Sequence, residues 1–145
     1  MGDDDRWRRN WLAVSPPGAV KIELPRSARR RRALITTVSG MPAGTAIVVS
    51  ASAPRAASRC RTFAADAGIE LKRHYLAFPG PTAPAYLVED APPSIRLFLQ
   101  TVLSAPPRSA WSMPISACLG LLRSLNQWRL LRRIAPGRVA VGRRR

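Results

Sequence analysis

The sequence predicts an α/β fold: a small three-layer sheet of mixed parallel and antiparallel strands, with helices on both faces. Three observations favour this class. Short apolar runs alternate with helical patterns in the middle of the chain. Of the 145 residues, 46% are hydrophobic, which is enough to form one core. Most of the 14 prolines fall between the patterned segments, where they mark the ends of secondary structure.

The predicted elements follow the order β, β, α, β, α, β, β, α, α, β. They are strands at 11–14 and 19–24, a helix at 25–39, a strand at 45–50, a helix from 52 or 53 to 67, strands at 69–78 and 85–88, helices at 89–103 and from about 114 towards 128, and a strand at 139–141. We expect residues 1–10 to be a flexible tail, residues 11–142 a single domain and residues 143–145 a basic tail.

The first elements are predicted from turn and helix-end signals. Ser15-Pro-Pro-Gly18 is a strong turn signal between two short apolar runs, so those runs are predicted to form a hairpin. The following helix starts near Pro25, and Gly40 is suited to end it. Its apolar stripe consists of Leu34, Ile35 and Val38.

Residues 45–50 form a continuous, β-branched apolar run, which is typical of a buried strand in a parallel sheet. Ser52 or Ala53 is predicted to cap the next helix, with Pro54 near its first position and Gly68 at its end. The apolar face of this helix is predicted to contain Ala57, Cys60, Phe63, Ala64 and Ala67.

The second half has clear boundaries. Alternation over 69–78 predicts a strand, which Pro79-Gly-Pro81 ends before a further strand at 85–88. Glu89-Asp90 and the prolines after Ala91 are suited to a helix start, so capping is the favoured role for the two acids. The next helix follows i, i+3, i+4 spacing through Ile95, Phe98, Leu99, Val102 and Leu103. Pro136-Gly137 separates the last helix from the final strand.

The charge predicts anionic partners. The formal net charge is +16, and Lys21 and Lys72 are the only lysines among 24 basic residues. We expect an acidic protein or a polyanion, with nucleic acid or anionic lipid as candidates. A solvated face that reflects genomic composition is the alternative. The predicted basic surface contains Arg29, Arg30, Arg31, Arg32, Arg59, Arg132 and Arg133.

Cys60 and Cys118 are distant in sequence, so we predict buried thiols in a reducing compartment. The first ten residues lack the apolar stretch of a secretory signal, and no run is long enough to span a bilayer. The expected location is cytoplasmic, or peripheral to the inner membrane face.

The sequence contains few groups suited to familiar chemistries. The nine glycines never form G-x-G, no Walker A motif is present, and one histidine with two separated cysteines makes a metal site improbable. The loop after the buried strand is the best candidate for anion or ligand binding, through Ser50, Ser52 and Arg55. Simple helix capping is the alternative. Tyr75 and His74 are weaker candidates, and no catalytic residue is assigned.

One segment resembles a family. The run from Phe63 to Pro79 (FAADAGIELKRHYLAFP) and the run APAYLVED at 83–90 are similar to the C-terminal part of class I S-adenosylmethionine-dependent methyltransferases. The run MPAGTAIVVS at 41–50 resembles the element before that helix, and 137–141 the last sheet strand. The resemblance implies a Rossmann-like sheet.

In that family the methyl donor binds in the N-terminal half, on a G-x-G-x-G loop and an acidic residue that this chain lacks. We therefore expect no cofactor, and S-adenosylmethionine only if a partner chain completes the site. The predicted role is an accessory or partner-binding module, not catalytic alone; any enzymatic activity would be that of a methyltransferase-like transferase. The alternative is a cationic module that binds nucleic acid or an anionic membrane surface without sequence specificity.

Overall fold

The structure is a computed structural model that describes residues 4–102, 117, 120 and 128–145, with side chains from residue 7 onward. Ten helices and strands are described within these ranges. They are α1 Asp4–Val14, β1 Val20–Glu23, α2 Ala28–Ser39, β2 Ala46–Ser52, α3 Ala56–Asp66, β3 Ile69–Phe78, β4 Tyr86–Glu89, α4 Pro92–Thr101, α5 Trp128–Ile134 and β5 Gly137–Arg144. The α/β class and most of the predicted elements are confirmed.

The strands form one sheet in the order β1-β2-β5-β3-β4. β1 and β2 are parallel, with Val20 opposite Ile47. β5 is antiparallel to β2 and to β3, so it inserts between two strands that share one direction. A bulge between Leu71 and Arg73 interrupts the β3–β5 ladder. The predicted mixed, Rossmann-like sheet is therefore present.

The chain is divided into two compact units. One contains Met1–Leu87 and Ala135–Arg145, and the other contains Val88–Ile134. The single domain predicted over 11–142 spans both. In the second unit, α4 and α5 pack together, and Ile95, Phe98, Leu99 and Leu131 are buried.

The first unit has apolar layers on both sides of its strands, because successive strand residues face opposite sides. One layer contains Ile47 and Val49 of β2, packed with Val38 of α2 and Phe63 of α3. The other contains Val48, with Trp11, Tyr75, Ala77, Val139 and Val141. Helices therefore cover both faces, which confirms the three-layer prediction. No helix within the described ranges is long and apolar enough to cross a bilayer.

The start of the chain differs from the prediction. Residues 11–14 are not a strand; they continue helix α1, which also includes residues 4–10 that we expected to form a tail. Trp7, Trp11 and Val14 recur at i, i+4 and i+7 and pack on the sheet, and this spacing explains the helix. The predicted hairpin is wrong as well, because β1 pairs with β2.

Several other boundaries also differ. Ser52 ends β2, and α3 begins only at Ala56, so the predicted capping by Ser52 or Ala53 is wrong. The last strand runs to Arg144 and includes two of the three residues expected in the basic tail. Most of the helix predicted from about 114 lies outside the described residues, and Trp128 begins α5 where that helix was expected to end.

Candidate functional site

The carboxyl ends of the parallel strands β1 and β2 lie side by side. The backbone N–H of Leu24, just after β1, donates to the carbonyl oxygen of Ser50 at 2.7 Å. Arg26 donates from Nη2 to the carbonyl oxygen of Ala53 at 3.0 Å, which joins the loops that follow the two strands. We call this place the carboxyl edge. Ligands of open α/β sheets bind at such positions.

The structure separates the three residues predicted for this loop. Ser50 is buried, and its hydroxyl donates to the carbonyl oxygen of Ile22 at 3.5 Å, so it links two strands. Ser52 lines a cleft of about 320 Å³ together with Glu23. Arg55 lines a second cleft, of about 210 Å³. Ser52 and Arg55 are thus near the carboxyl edge, in different clefts.

Arg59 borders both clefts. It lies in the first turns of α3, and its Nη2 donates to the carbonyl oxygen of Leu24 at 3.3 Å. Its Nε is buried and has no hydrogen-bond partner among the described residues. The sequence suggested only a basic surface residue here, whereas the fold holds this guanidinium at the carboxyl edge.

Arg31 is held in the same way from α2. Its Nη1 donates to the carbonyl oxygens of Pro25 at 3.2 Å and Arg26 at 2.6 Å. Both bonds fix the loop after β1 to the first turns of α2. No residue pattern marked this role, because the acceptors are carbonyl groups of a loop placed by tertiary structure.

Arg55 precedes α3 in a left-handed backbone conformation, with φ 56°. It is the N-cap residue, but it makes no side-chain capping bond. Positive φ is uncommon outside glycine and costs on the order of 1 kcal/mol. Its side chain is exposed and lines the second cleft.

Tyr75 and His74 do not join these residues. As neighbours on β3 they face opposite sides of the sheet. Tyr75 is buried with Trp11 in the layer on the α1 side. His74 is half-buried and lines a third cleft, of about 430 Å³, with Arg61 and Glu70. The structure therefore does not assemble the five predicted ligand residues into one site.

The remaining predicted basic residues differ in their environments. Arg29, Arg30 and Arg32 are exposed on α2, and their guanidinium groups form no hydrogen bond or ion pair with the described residues. Arg132 instead forms an ion pair with Asp90, with 2.7 Å between Nε and Oδ1, and the nearby Arg133 is exposed.

The predicted capping of α4 by Glu89-Asp90 is wrong, because the N-cap residue is Ala91 and no side chain forms a capping bond there.

Arg144 acts as a structural clamp. Its Nη1 and Nη2 donate to the carbonyl oxygens of Gly68 and Ser39, each at 3.2 Å. These carbonyls lie just after α3 and at the end of α2, so the last strand ties both helices together. A residue predicted as part of a free tail is thus a structural element.

In the described part of the chain, no group of histidine, cysteine or acidic residues is arranged to hold a metal ion. Cys60 is a buried free thiol, whereas Cys118 lies outside the described residues. Comparison of the chain with models of known protein families, with curated proteins and with solved structures finds no match. Any assignment of function must therefore be argued from the geometry.

Proposed function

We propose that this chain is an accessory module related to the C-terminal half of class I methyltransferases, with no methyl-transfer activity of its own. The order of the strands carries the proposal. The four segments that resemble the family belong to β2, to the end of α3 with β3, to β4 and to β5. Their strands lie side by side in the sheet, as β2-β5-β3-β4.

The position of β5 in the chain adds support. It is the last strand of the chain, yet it inserts antiparallel between β2 and β3. The resemblance assigns residues 137–141 to the last strand of the family's sheet, and these residues lie in β5.

The carboxyl edge does not suit S-adenosylmethionine. The loop after β1 contains Pro25 and Arg26, the loop after β2 contains Pro54 and Arg55, and neither contains glycine. Side chains there prevent the close backbone approach that a glycine-rich loop permits. Arginines also repel the positive sulfonium of the donor. This chain is therefore not expected to transfer a methyl group on its own.

The outer side of β1 is where a partner would dock. Leu24 turns its N–H towards β2, so alternation turns the backbone N–H and C=O of Lys21 and Glu23 outward. No described strand pairs with that side. A free edge of this kind accepts an added strand. The proposed occupant is a strand of a second chain that carries the missing donor-binding half.

Calorimetry tests the first part of the proposal. The purified chain is titrated with S-adenosylmethionine, and no heat of binding is expected up to millimolar donor. A dissociation constant in the micromolar range would overturn the non-catalytic assignment, because it would require a donor site that the loops do not provide.

A capture experiment tests the docking edge. Lys21→Pro removes the outward N–H but suits an edge strand, whereas Lys21→Ala removes only the side chain. We expect wild type and Lys21→Ala to retain a partner that contains a G-x-G-x-G loop, and Lys21→Pro to lose it. Equal retention by the proline variant, or a partner without such a loop, would contradict the proposal.

A second candidate function is supported by the arginines of α2. Arg29, Arg30 and Arg32 are exposed, and their guanidinium groups bind no acceptor among the described residues. The chain has 24 basic and 8 acidic residues, and this excess of positive charge attracts a polyanion or an anionic membrane surface. Binding of this kind would be independent of sequence and strongly dependent on salt.

A further inference from the structure

We propose that the cleft between α2 and α3 binds the phosphate group of a small phosphorylated molecule. This cleft has a volume of about 210 Å³. We call it the arginine cleft. Its lining residues are Arg31, Ile35, Arg55, Ser58, Arg59, Thr62, Phe63 and Asp66. This site is independent of the methyltransferase relationship and of the outer edge of β1.

The spacing on α3 places hydrogen-bond donors on one face. Arg55, Ser58, Arg59 and Thr62 follow i, i+3, i+4 and i+7, so they form one stripe along the helix. A stripe that faces another helix is normally apolar. Here it offers two guanidinium groups and two hydroxyls, and α2 adds Arg31 from the other side.

Two of the three arginines are held in position. Arg31 bonds the carbonyl oxygens of Pro25 and Arg26, and Arg59 bonds that of Leu24. A guanidinium has five N–H donors, so donors remain for a ligand on both residues. Because these side chains are already ordered, binding does not incur the full entropic cost of fixing them.

The charges favour a compact dianion. Guanidinium groups bind phosphate in a bidentate manner, and serine and threonine hydroxyls donate to its remaining oxygens. Among the described residues that line the cleft, Asp66 is the only acidic one, and it lies three turns along α3 from Arg55. A carboxylate at one end repels a continued chain of phosphates. The cleft therefore suits one phosphate group rather than a nucleic acid backbone.

The test is calorimetry with the full chain, using inorganic phosphate and glycerol 3-phosphate as probes. We expect saturable binding of glycerol 3-phosphate, and a loss of roughly tenfold or more in affinity for Arg55→Ala and for Ser58→Ala. Both residues are exposed, so neither change should unfold the protein. Arg61→Ala is the matched control, because it removes the same charge from α3 but lines the third cleft.

Each outcome decides the proposal. Preserved affinity in Arg61→Ala and in Ser52→Ala supports the arginine cleft, since Ser52 lines the other cleft at the carboxyl edge. Tighter binding of glycerol 3-phosphate than of inorganic phosphate indicates a phosphorylated metabolite, and the reverse indicates the free ion. Absence of binding at millimolar probe, or an equal loss in Arg61→Ala, would overturn the proposal in favour of a diffuse cationic surface.

Discussion

Cys60 lies in the core between α3 and the sheet, with Phe63 and Ile47 in the same cluster. Burial raises the pKa of its thiol to about 11, although the charges of Arg59 and Arg138 act in the opposite direction. A thiol in this position stays protonated through the physiological range, and so it is a poor nucleophile. Its position therefore favours a packing role.

This raised pKa predicts a pH dependence of stability. Because the folded pKa exceeds the unfolded one, the contribution of Cys60 is fully present below the unfolded pKa, near pH 9, and is lost as the pH rises towards 11. The loss should be on the order of 2 kcal/mol. Urea unfolding at several pH values measures it.

The comparison variant is Cys60→Ala, in a Cys118→Ser background so that only one thiol titrates. Alanine leaves a small cavity and lowers stability at every pH, but it should flatten the decline between pH 9 and 11. If both proteins lose stability along parallel curves, another group is responsible for the dependence.

At the scale of elements, β5 is tightly enclosed between its two neighbours. Gly142 stands opposite Ile47 of β2 and Leu71 of β3, next to the bulge. A Cβ at this position would overlap the carbonyl oxygen of Glu70, which is backbone and cannot move aside freely. The close approach of the strands depends on the absence of a side chain here.

Gly142→Ala is therefore expected to lower the free energy of unfolding by roughly 1–3 kcal/mol. Gly80→Ala is the matched change, because a Cβ there meets nothing within 4 Å and its φ is not positive. Its effect should stay within about 0.5 kcal/mol. Chemical denaturation of both variants measures the difference in the free energy of unfolding. Equal decreases in the two variants would mean that the sheet accommodates a Cβ at residue 142.

Elements that form through local interactions could be predicted from the sequence, whereas those that depend on contacts between distant residues could not. The strand at 45–50 was predicted because its apolar run is a local signal. Residues 11–14 were assigned wrongly, because a short apolar run fits a strand as well as a helix and only Trp7 extends the helical spacing. The insertion of β5 between β2 and β3 depends on pairing across the chain, and no local pattern specifies that pairing.

The candidate site was predictable to the same extent. The loop after β2 was identified because ligands gather at the carboxyl ends of strands. The arginine cleft was not, since Arg31 and Arg59 were grouped with freely solvated basic residues. Their backbone acceptors come from the loop after β1, and the sequence alone does not show that this loop lies beside α3.

At the scale of the whole molecule, the net charge of +16 matters for only one of the two candidate functions, the binding of a polyanion. An accessory module would bind its partner through the backbone of the outer edge of β1, and the pairing of two strands depends little on salt. A polyanion-binding module uses exposed guanidinium groups. The logarithm of its binding constant falls linearly with the logarithm of salt concentration, with a slope of roughly −0.9 per phosphate neutralised. Salt dependence therefore separates the functions without knowledge of the partner.

The exposed arginines of α2 give this comparison a quantitative form. If the chain binds duplex DNA through α2, the triple change of Arg29, Arg30 and Arg32 to alanine should reduce the magnitude of the slope by up to about 2.7. Arg143 is also exposed, in β5 at a distance from α2 in sequence, and its change to alanine should reduce the slope by at most about 0.9. Fluorescence anisotropy at four salt concentrations measures both slopes. An unchanged slope in the triple variant would exclude α2 as the contact surface, and weak binding of the wild type at low salt would leave strand addition at β1 as the better supported function.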